Sequence, residues 1–171
     1  MRVATIDIGT NTTLLLVAER GPDGALVAFA DHAIITRLGQ GVDQTRRLAP
    51  EAVDRTKQAL DAYATIVRDA AVTRVAVVGT SAMRDAGGSE ELRAHIAALF
   101  GVEPRVISGD EEARLTFGGA LSGLGLAGEV VVFDIGGGST EVVHGTVGGA
   151  RGFAHSFDVG SVRMTERHVR T

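Results

Sequence analysis

One short pattern occurs twice in the chain, as "DIGTNTT" at residues 7–13 and as "DIGGGST" at residues 134–140. When the two stretches are aligned, Asp, Ile, Gly and the final Thr coincide, and Thr12 falls on Ser139. Each stretch follows a run of mainly apolar residues, so each predicts a buried strand that turns back through Gly and small polar residues. The repeat indicates a duplicated domain. In a chain with 23 glycines, a chance likeness between two hairpins is the alternative.

The order of the other patterns predicts an α/β fold. Three extended segments open the chain and predict consecutive antiparallel strands, within residues 2–8, 13–19 and 25–36. Helical and extended patterns then alternate, which favours parallel strands added to the same sheet. The helices are expected at residues 50–69, 89–100 and 109–121, and the strands at residues 75–80 and 105–107. After residue 128 the opening pattern starts again, so we expect one domain over residues 1–124 and an incomplete second copy over residues 125–171.

Composition excludes several kinds of function. The chain has no cysteine, which rules out disulfides and thiolate catalysis. With 21 acidic and 17 basic residues its net charge is −4, so we expect no general attraction to nucleic acid or to an anionic membrane. A strand pattern begins at Arg2 and no apolar run reaches the length of a membrane span, so we expect a cytoplasmic protein without a targeting segment. A polyanion would have to be bound locally, by amides, by a few arginines or by a metal.

The residue types in the two repeated turns suit phosphate. Glycine allows the backbone to approach a ligand closely, so that successive amides can point at an oxyanion. Hydroxyl groups add donors in both turns, at Thr10, Thr12, Ser139 and Thr140. Asp7 and Asp134 stand at strand ends, where a carboxylate can hold a hydrated divalent cation. Either turn alone is more often an ordinary hairpin, but the repeat with Asp in register favours the phosphate-binding interpretation.

The stretch "SGDEEARLTF" at residues 108–117 predicts a helix start with one carboxylate to which capping assigns no structural role. Ser108 and Glu111 have the spacing of a capping box, which explains Glu111 structurally. Glu112 has no such role and lies four residues before Thr116. It is either a functional carboxylate or a solvated residue that the helix dipole favours in the first turn, and spacing alone leaves both open.

Three further features have a functional and a structural interpretation. Arg84 follows "GTSAM" at a strand end, where it can reach a phosphate, although periodicity favours a surface arginine at a helix start. Glu141 begins the strand after the second turn, where an exposed hairpin position is the alternative. "RLGQGVD" at residues 37–43 either lies over a cleft or is simply a loop. The histidines have no metal-ligand spacing: they are His32, His95, His144, His155 and His168.

Five motifs follow one another in a fixed order: "DIGTNTT", "RLGQGV", "GTSAMR", "ISGDEEARLTF" and "DIGGGSTE". Together, over about residues 3–165, they resemble the exopolyphosphatase / guanosine pentaphosphate phosphohydrolase (Ppx/GppA) family of the sugar kinase–heat-shock–actin superfamily. The resemblance implies actin-like (ribonuclease H-like) domains on either side of a cleft, the first with a mixed five-stranded sheet flanked by helices. Members of the family continue well past residue 171, so we expect this chain to hold only the first strands of a truncated second domain.

The resemblance also implies a function and a set of site residues. It implies hydrolysis of terminal phosphoryl groups of polyphosphate or pppGpp with Mg²⁺, with Glu112 as general base for water and Glu141 assisting. Asp134 would be the carboxylate at the magnesium, and Asp7 its counterpart on the first turn. The implied phosphate contacts are Gly9, Thr10, Asn11, Thr12, Arg84, Gly136, Gly137, Gly138 and Ser139. The family usually carries Ser at the positions of Thr10 and Thr12, so the hydroxyl groups are retained.

Two other functions stay open at the level of sequence. A kinase or ATPase of the same superfamily shares the paired turns, and a fragment of this kind can also bind polyphosphate or ppGpp without catalysis. The sequence does not choose between polyphosphate and pppGpp. An incomplete second domain would expose an apolar sheet, so we further expect a homodimer or other self-association through residues 130–171.

Overall fold

In the computed structural model, which describes residues 1–122 and 124–169 (without the side chain of residue 151), alternating apolar residues of the first strands cover one face of a five-stranded sheet. Three strands form an antiparallel meander: β1 (Arg2–Ile8), β2 (Thr12–Arg20) and β3 (Leu26–Ile35). Two shorter strands continue the sheet in parallel with β1: β4 (Arg74–Gly79) and β5 (Arg105–Val106). The strand order is β3-β2-β1-β4-β5, so the predicted mixed five-stranded sheet is confirmed.

Helices of the first compact unit, Met1–Val106, flank this sheet. They are α1 (Val42–Thr45), α2 (Pro50–Asp69), α3 (Ser81–Asp85) and α4 (Glu90–Phe100). Pro50 suits the first turn of α2 because its fixed φ is helical and its missing N–H would have no partner there. The apolar face of α2 buries Leu60 and Tyr63 in one core with Leu15 of β2. No helix of the described residues has the length and apolar character needed to cross a membrane.

The second compact unit, Ile107–Thr171, is built on a smaller sheet. Its elements are α5 (Gly109–Leu121), β6 (Glu129–Ile135), β7 (Thr140–Thr146), β8 (Arg151–Phe157) and α6 (Ser161–His168). The three strands are antiparallel in the order β6-β7-β8, as the sequence predicts. One face packs on α5 through Ala113, Phe117 and Val143. The other face leaves large apolar side chains exposed, which are Val131, Phe133, Ile135, Phe153 and Phe157.

The compact units divide at Val106, earlier in the chain than the domain boundary that the sequence predicts after residue 124. The difference arises because α5 packs on the sheet that follows it rather than on the strands that precede it. Helix periodicity identifies α5 and its apolar side, but it does not show which sheet that side covers. The assignment of residues 1–124 and 125–171 to two actin-like domains stays a prediction.

The opening hairpins of the two units repeat each other in detail. Their aspartates occupy the same register, as the facing pairs Asp7–Leu14 and Asp134–Glu141 show. In each unit the second strand shifts register against the third, and the shifts lie at aligned positions: Val17/Ala18 and His144/Gly145. An abundance of glycine does not explain a matched irregularity inside two strands. The structure therefore supports duplication over a chance likeness.

Tyr63 provides a test of the first core, because it is the single tyrosine of the chain. Its hydroxyl donates to the Thr13 carbonyl over 2.7 Å and lies 3.3 Å from the His32 carbonyl oxygen. Burial raises the pKa of the Tyr63 phenol above its ordinary value of 10.0. The neutral phenol therefore contributes its full stability below pH 10, and that contribution is lost as the pH rises through the folded-state pKa.

We expect tyrosinate absorbance to develop at a higher pH in the folded chain than in the urea-unfolded chain. Tyr63→Phe should lower the free energy of unfolding at neutral pH by about 1–3 kcal/mol, because the Thr13 carbonyl loses a buried donor. The variant should also lose less stability than the parent above pH 10. Thr65→Val, on the exposed side of α2, is the control and should change little. Tyrosinate forming at the same pH in folded and unfolded chains would contradict the prediction.

Candidate functional site

The first repeated turn is closed by its own backbone. The Gly9 N–H donates to the Thr12 carbonyl over 3.0 Å. A Cβ at position 9 would lie 2.8 Å from that carbonyl oxygen, so the turn requires glycine there. Asp7 lies one residue before the end of β1 and is half-buried. The sequence pattern thus folds into a tight hairpin with a carboxylate at its base.

The segment after β3 supports the first turn from behind, that is, from the side toward which the carbonyl groups of the turn point. The Gly39 N–H donates to the Thr10 carbonyl over 2.8 Å, and the Thr36 and Arg37 N–H groups donate to the Asn11 carbonyl over 3.0 and 2.9 Å. Gly39 packs so closely on Thr10 that a Cβ at position 39 would overlap the threonine methyl group. The connection over residues 37–43 therefore supports the turn, a role that its sequence did not indicate.

Two polar features lie with this turn at the same edge of the five-stranded sheet. Thr10 Oγ1 is buried and has no hydrogen-bond partner among the described residues. Strand β4 runs parallel to β1, and the Thr80 N–H donates to the Ile8 carbonyl over 3.2 Å, so the segment that carries Arg84 reaches the same edge. Arg84 belongs to α3, and its Nε lies 3.9 Å from Asp85 Oδ1. The first unit thus brings Asp7, the turn and Arg84 to one edge.

The second repeated turn is closed in the same way as the first. The Gly136 N–H donates to the Ser139 carbonyl over 2.9 Å, and a Cβ at position 136 would lie 3.0 Å from that oxygen. Gly160, just before α6, lies against the back of the turn, where a Cβ would come within 2.6 Å of the Gly138 carbonyl carbon and would overlap Gly137. Gly160 therefore has the position behind the second turn that Gly39 has behind the first.

The start of α6 binds the carbonyls of the second turn. Backbone N–H groups donate to the Gly136 and Gly137 carbonyls; the contacts are Ser161 to Gly136 (2.9 Å), Val162 to Gly137 (2.9 Å) and Arg163 to Gly137 (3.1 Å). The Arg163 side chain donates from Nε to the Gly138 carbonyl over 2.8 Å. Three successive carbonyls of the turn therefore point toward α6.

The direction of these carbonyls fixes the direction of the amides. The described peptide bonds include no cis bond, and in a planar trans peptide the N–H points opposite to the C=O. The N–H groups of Gly137, Gly138 and Ser139 therefore point away from α6. Within residues 1–122 and 124–169 none of the three donates to a protein acceptor. Successive amides that point to the same side without a protein acceptor are typical of anion-binding turns.

Two carboxylates lie beside this turn on the α5 side of the sheet. Asp134 and Glu141 face each other across β6 and β7. Glu141 is only 1% exposed, and its Oε1 accepts a hydrogen bond of 2.6 Å from Ser156 on β8, a length typical of a hydroxyl bound to a carboxylate. Asp134 Oδ2 accepts from Thr116 of α5 over 3.1 Å. Glu141 is thus a buried, oriented carboxylate, and the alternative of an exposed hairpin residue is wrong.

Helix α5 carries Glu112, the third candidate site carboxylate of the second unit. Ser108 caps the helix, and its Oγ accepts from the Glu111 N–H over 3.2 Å, as the capping-box spacing predicts. Gly109 packs against Ser156, so a Cβ added at position 109 would lie only 2.7 Å from the Ser156 Cβ. Thr116 donates a hydrogen bond to Asp134 Oδ2. Because residues three and four apart share a helix face, Glu112 lies on the face that carries both contacts. The second unit therefore has Asp134 and Glu141 beside the turn, and Glu112 on the face of α5 that packs on the same sheet.

Sequence reasoning missed four supports of these groups: Gly39, Ser156, Gly160 and Arg163. Each acts on a residue far away in the chain, so no local spacing indicates it. One signal was available. Each copy has a glycine soon after its third strand, namely Gly39 after β3 and Gly160 after β8.

The described residues contain no group of three or more Asp, Glu, His or Cys side chains that could hold a metal ion. Magnesium does not require such a group, because it is commonly bound through one or two carboxylates together with water and substrate phosphates. Asp134 fits that mode. Thr116 orients one of its oxygens, and no described residue forms a hydrogen bond with the other.

These features define an actin-like α/β protein in which two matched hairpin turns each follow a strand that carries an aspartate. Residues 16–171 match the Ppx/GppA phosphatase family, and the chain belongs to that family. It is 46% identical to exopolyphosphatase 2 of Mycobacterium tuberculosis over 178 residues, covering 97% of this chain and 54% of that protein.

Solved structures agree with this assignment. An exopolyphosphatase-like protein has a TM-score of 0.92 at 40% identity, over 99% of this chain and 54% of that one. An exopolyphosphatase from Cytophaga hutchinsonii has a TM-score of 0.92 at 30% identity, over 99% of this chain and 55% of that one. The chain spans about half the length of the relatives it matches here.

The contact between Ser156 and Glu141 yields a prediction about stability. Ser156→Ala should lower the free energy of unfolding by about 1–3 kcal/mol, because a buried carboxylate loses its hydroxyl donor. In a Glu141→Gln background the same substitution should cost less, and urea unfolding of the four proteins measures the coupling. Ser122→Ala, at an exposed serine after α5, is the matched control. Equal costs in both backgrounds would show that the two side chains are not coupled.

Proposed function

We propose that this chain supplies the phosphate-binding turns and the catalytic carboxylates of a phosphohydrolase that releases terminal phosphate from inorganic polyphosphate. Membership of the Ppx/GppA phosphatase family supports the reaction type, and the relatives named exopolyphosphatase support the substrate. Guanosine pentaphosphate, pppGpp, is proposed as a second substrate, because its terminal phosphoryl group offers the same chemistry.

The observation that carries the proposal is the arrangement around the second turn. The amides of residues 137–139 point away from α6 without acceptors among the described residues, Asp134 and Glu141 lie beside them, and Glu112 belongs to the α5 face that packs on the same sheet. Phosphoryl transfer needs positioning, neutralisation of charge and an oriented nucleophile rather than covalent catalysis. Amides, carboxylates and a cation site are the groups that meet these needs.

Each group has a proposed role in water attack. The amides of Gly137, Gly138 and Ser139 bind phosphate oxygens and stabilise the charge that develops on them. Glu112 orients a water in line with the leaving oxygen and accepts its proton. Glu141, held by Ser156, assists by orienting the same water. Asp134 would hold Mg²⁺, which when bound neutralises phosphate charge.

The first unit has an equivalent proposed role in binding. The turn from Gly9 to Thr12 and the Arg84 guanidinium bind phosphate groups there, and Asp7 is the proposed counterpart of Asp134. Thr10 supports this, because its buried hydroxyl has no hydrogen-bond partner among the described residues and a phosphate oxygen would provide one.

The test uses the complete product of the gene that encodes this chain, offered polyphosphate, pppGpp and ATP side by side with Mg²⁺. We expect phosphate release from polyphosphate, and Glu112→Gln should reduce it by about 10²–10⁴-fold, the usual contribution of a general base. Binding of the substrate should change little, because the amide isostere keeps the size of the side chain.

Glu111→Gln is the matched control, since the neighbouring carboxylate lies 3.7 Å from Arg114 and belongs to the helix start. It should keep turnover near that of the parent protein. Unchanged turnover in Glu112→Gln would remove the proposed base. ADP formation that depends on a sugar or acid acceptor would instead indicate a kinase, and polyphosphate binding without release would indicate a binding module.

We also propose that the chain self-associates through the second unit, with a second copy as the partner. The support is the apolar face of the β6-β7-β8 sheet, where Phe133 is 66% exposed beside other large apolar side chains. The predicted segment covers residues 130–171, of which residues 170 and 171 lie outside the described residues.

Light scattering of the chain tests this proposal. We expect a species larger than the monomer, and Phe133→Lys should shift the distribution toward the monomer because it places a charge on the apolar face. Phe29→Lys, at an exposed apolar position of the first unit, is the control and should leave the distribution unchanged. A strictly monomeric parent chain would contradict the proposal.

A further inference from the structure

Arg163 is a buried cation that donates to the backbone of the second turn. Its side chain is 7% exposed, and its Nε donates to the Gly138 carbonyl over 2.8 Å. The Nη2 atom lies 3.9 Å from Asp158, but that carboxylate is 78% exposed, and an ion pair so open to water contributes little. Burial of a guanidinium is costly unless its hydrogen bonds compensate, and the Nε contact with the Gly138 carbonyl is one such bond.

In the first turn, backbone N–H groups occupy the place that the Arg163 side chain has in the second turn. Asn11 is the aligned equivalent of Gly138, and its carbonyl accepts from two backbone N–H groups, those of Thr36 and Arg37. In the part of the chain that the structure describes, the donor to the Gly138 carbonyl is the Arg163 side chain. A side chain thus does in the second turn what backbone does in the first. Unlike backbone, it can be removed by substitution.

We propose that Arg163 is a positioning residue that directs the Ser139 amide toward bound phosphate, an inference that rests on the proposed function. The Gly138 carbonyl and the Ser139 N–H belong to one planar peptide and point in opposite directions. When Arg163 Nε holds that carbonyl on the α6 side, the N–H is held on the other side. The Arg163 backbone N–H also donates to the Gly137 carbonyl over 3.1 Å, so a single residue orients two successive peptides.

Two substitutions separate the geometry of the contact from its charge. Arg163→Met keeps an unbranched side chain but removes the donor. Arg163→Lys keeps the positive charge but places it on a flexible ammonium group without the planar Nε–H. If the contact orients the peptide, the lysine variant should lie between the parent protein and the methionine variant.

The first measurement is the dissociation constant of inorganic tripolyphosphate with Mg²⁺, determined by calorimetry on the complete gene product. Arg163→Met should weaken binding about tenfold, which corresponds to the loss of roughly one hydrogen bond. Asp158→Asn removes the charge that lies 3.9 Å from Arg163 Nη2 and leaves the carbonyl contact, so it is the matched control and should stay near the parent value. Melting curves establish that each variant is folded at the temperature of the assay.

The second measurement is a crystal structure of Arg163→Met, in which we expect the peptide between Gly138 and Ser139 to be rotated. A peptide that keeps its orientation would overturn the inference, and so would an Asp158→Asn variant that binds as weakly as Arg163→Met. If the parent protein binds no tripolyphosphate, the proposed function fails. The orientation of the peptide then decides by itself whether Arg163 positions it, so the two failures are distinguishable.

Discussion

The candidate site depends on the planarity of the peptide bond. Because the C=O and N–H of one peptide point in opposite directions, a protein that binds the carbonyls of a turn from one side presents the amides on the other. The start of α6 does this to residues 136–138, and the segment around Gly39 does it to residues 10 and 11. The glycines let the supporting backbone come close enough, and a Cβ at Gly160 or Gly39 would collide with the turn it supports. In the proposed site, affinity for phosphate would thus depend on residues that need not touch the ligand.

The two copies achieve this geometry with different donors. Gly9 and Gly136 close their turns through the same hydrogen bond, and the strand register and its irregularity are retained. Behind the turns the copies differ, because the first uses backbone N–H groups from a loop and the second uses a helix start and the Arg163 side chain. Duplication with retention of the closing bonds explains the likeness. Divergence of the supporting segments explains why the sequence repeat is visible only over the turns.

Local signals predicted much of this molecule. Pro50 correctly marked the start of α2, and the spacing of Ser108 and Glu111 correctly marked the cap of α5, because both effects act within one helical turn. Sequence patterns could not show that Ser156 would bind Glu141, since the register of β8 against β7 creates that contact. The packing of α5 on the second sheet was missed for the same reason. A residue's role could be predicted from the sequence when the residues it interacts with lie close to it in the chain.

The same geometry bears on the proposal that a chain of net charge −4 binds a polyanion. Amides contribute partial positive charge without any basic residue, so neither composition nor isoelectric point bears on whether such turns bind phosphate. In the proposed site the carboxylates of Asp134 and Glu141 would repel a bound anion. A cation held by Asp134 would turn that local repulsion into attraction. Arg163 supplies no direct counter-charge in this scheme, because its guanidinium lies behind the turn and acts through the Gly138 carbonyl. Arg163 is thus placed to orient the turn rather than to neutralise a bound anion. This is why Arg163→Lys, which keeps the charge, is not expected to be equivalent.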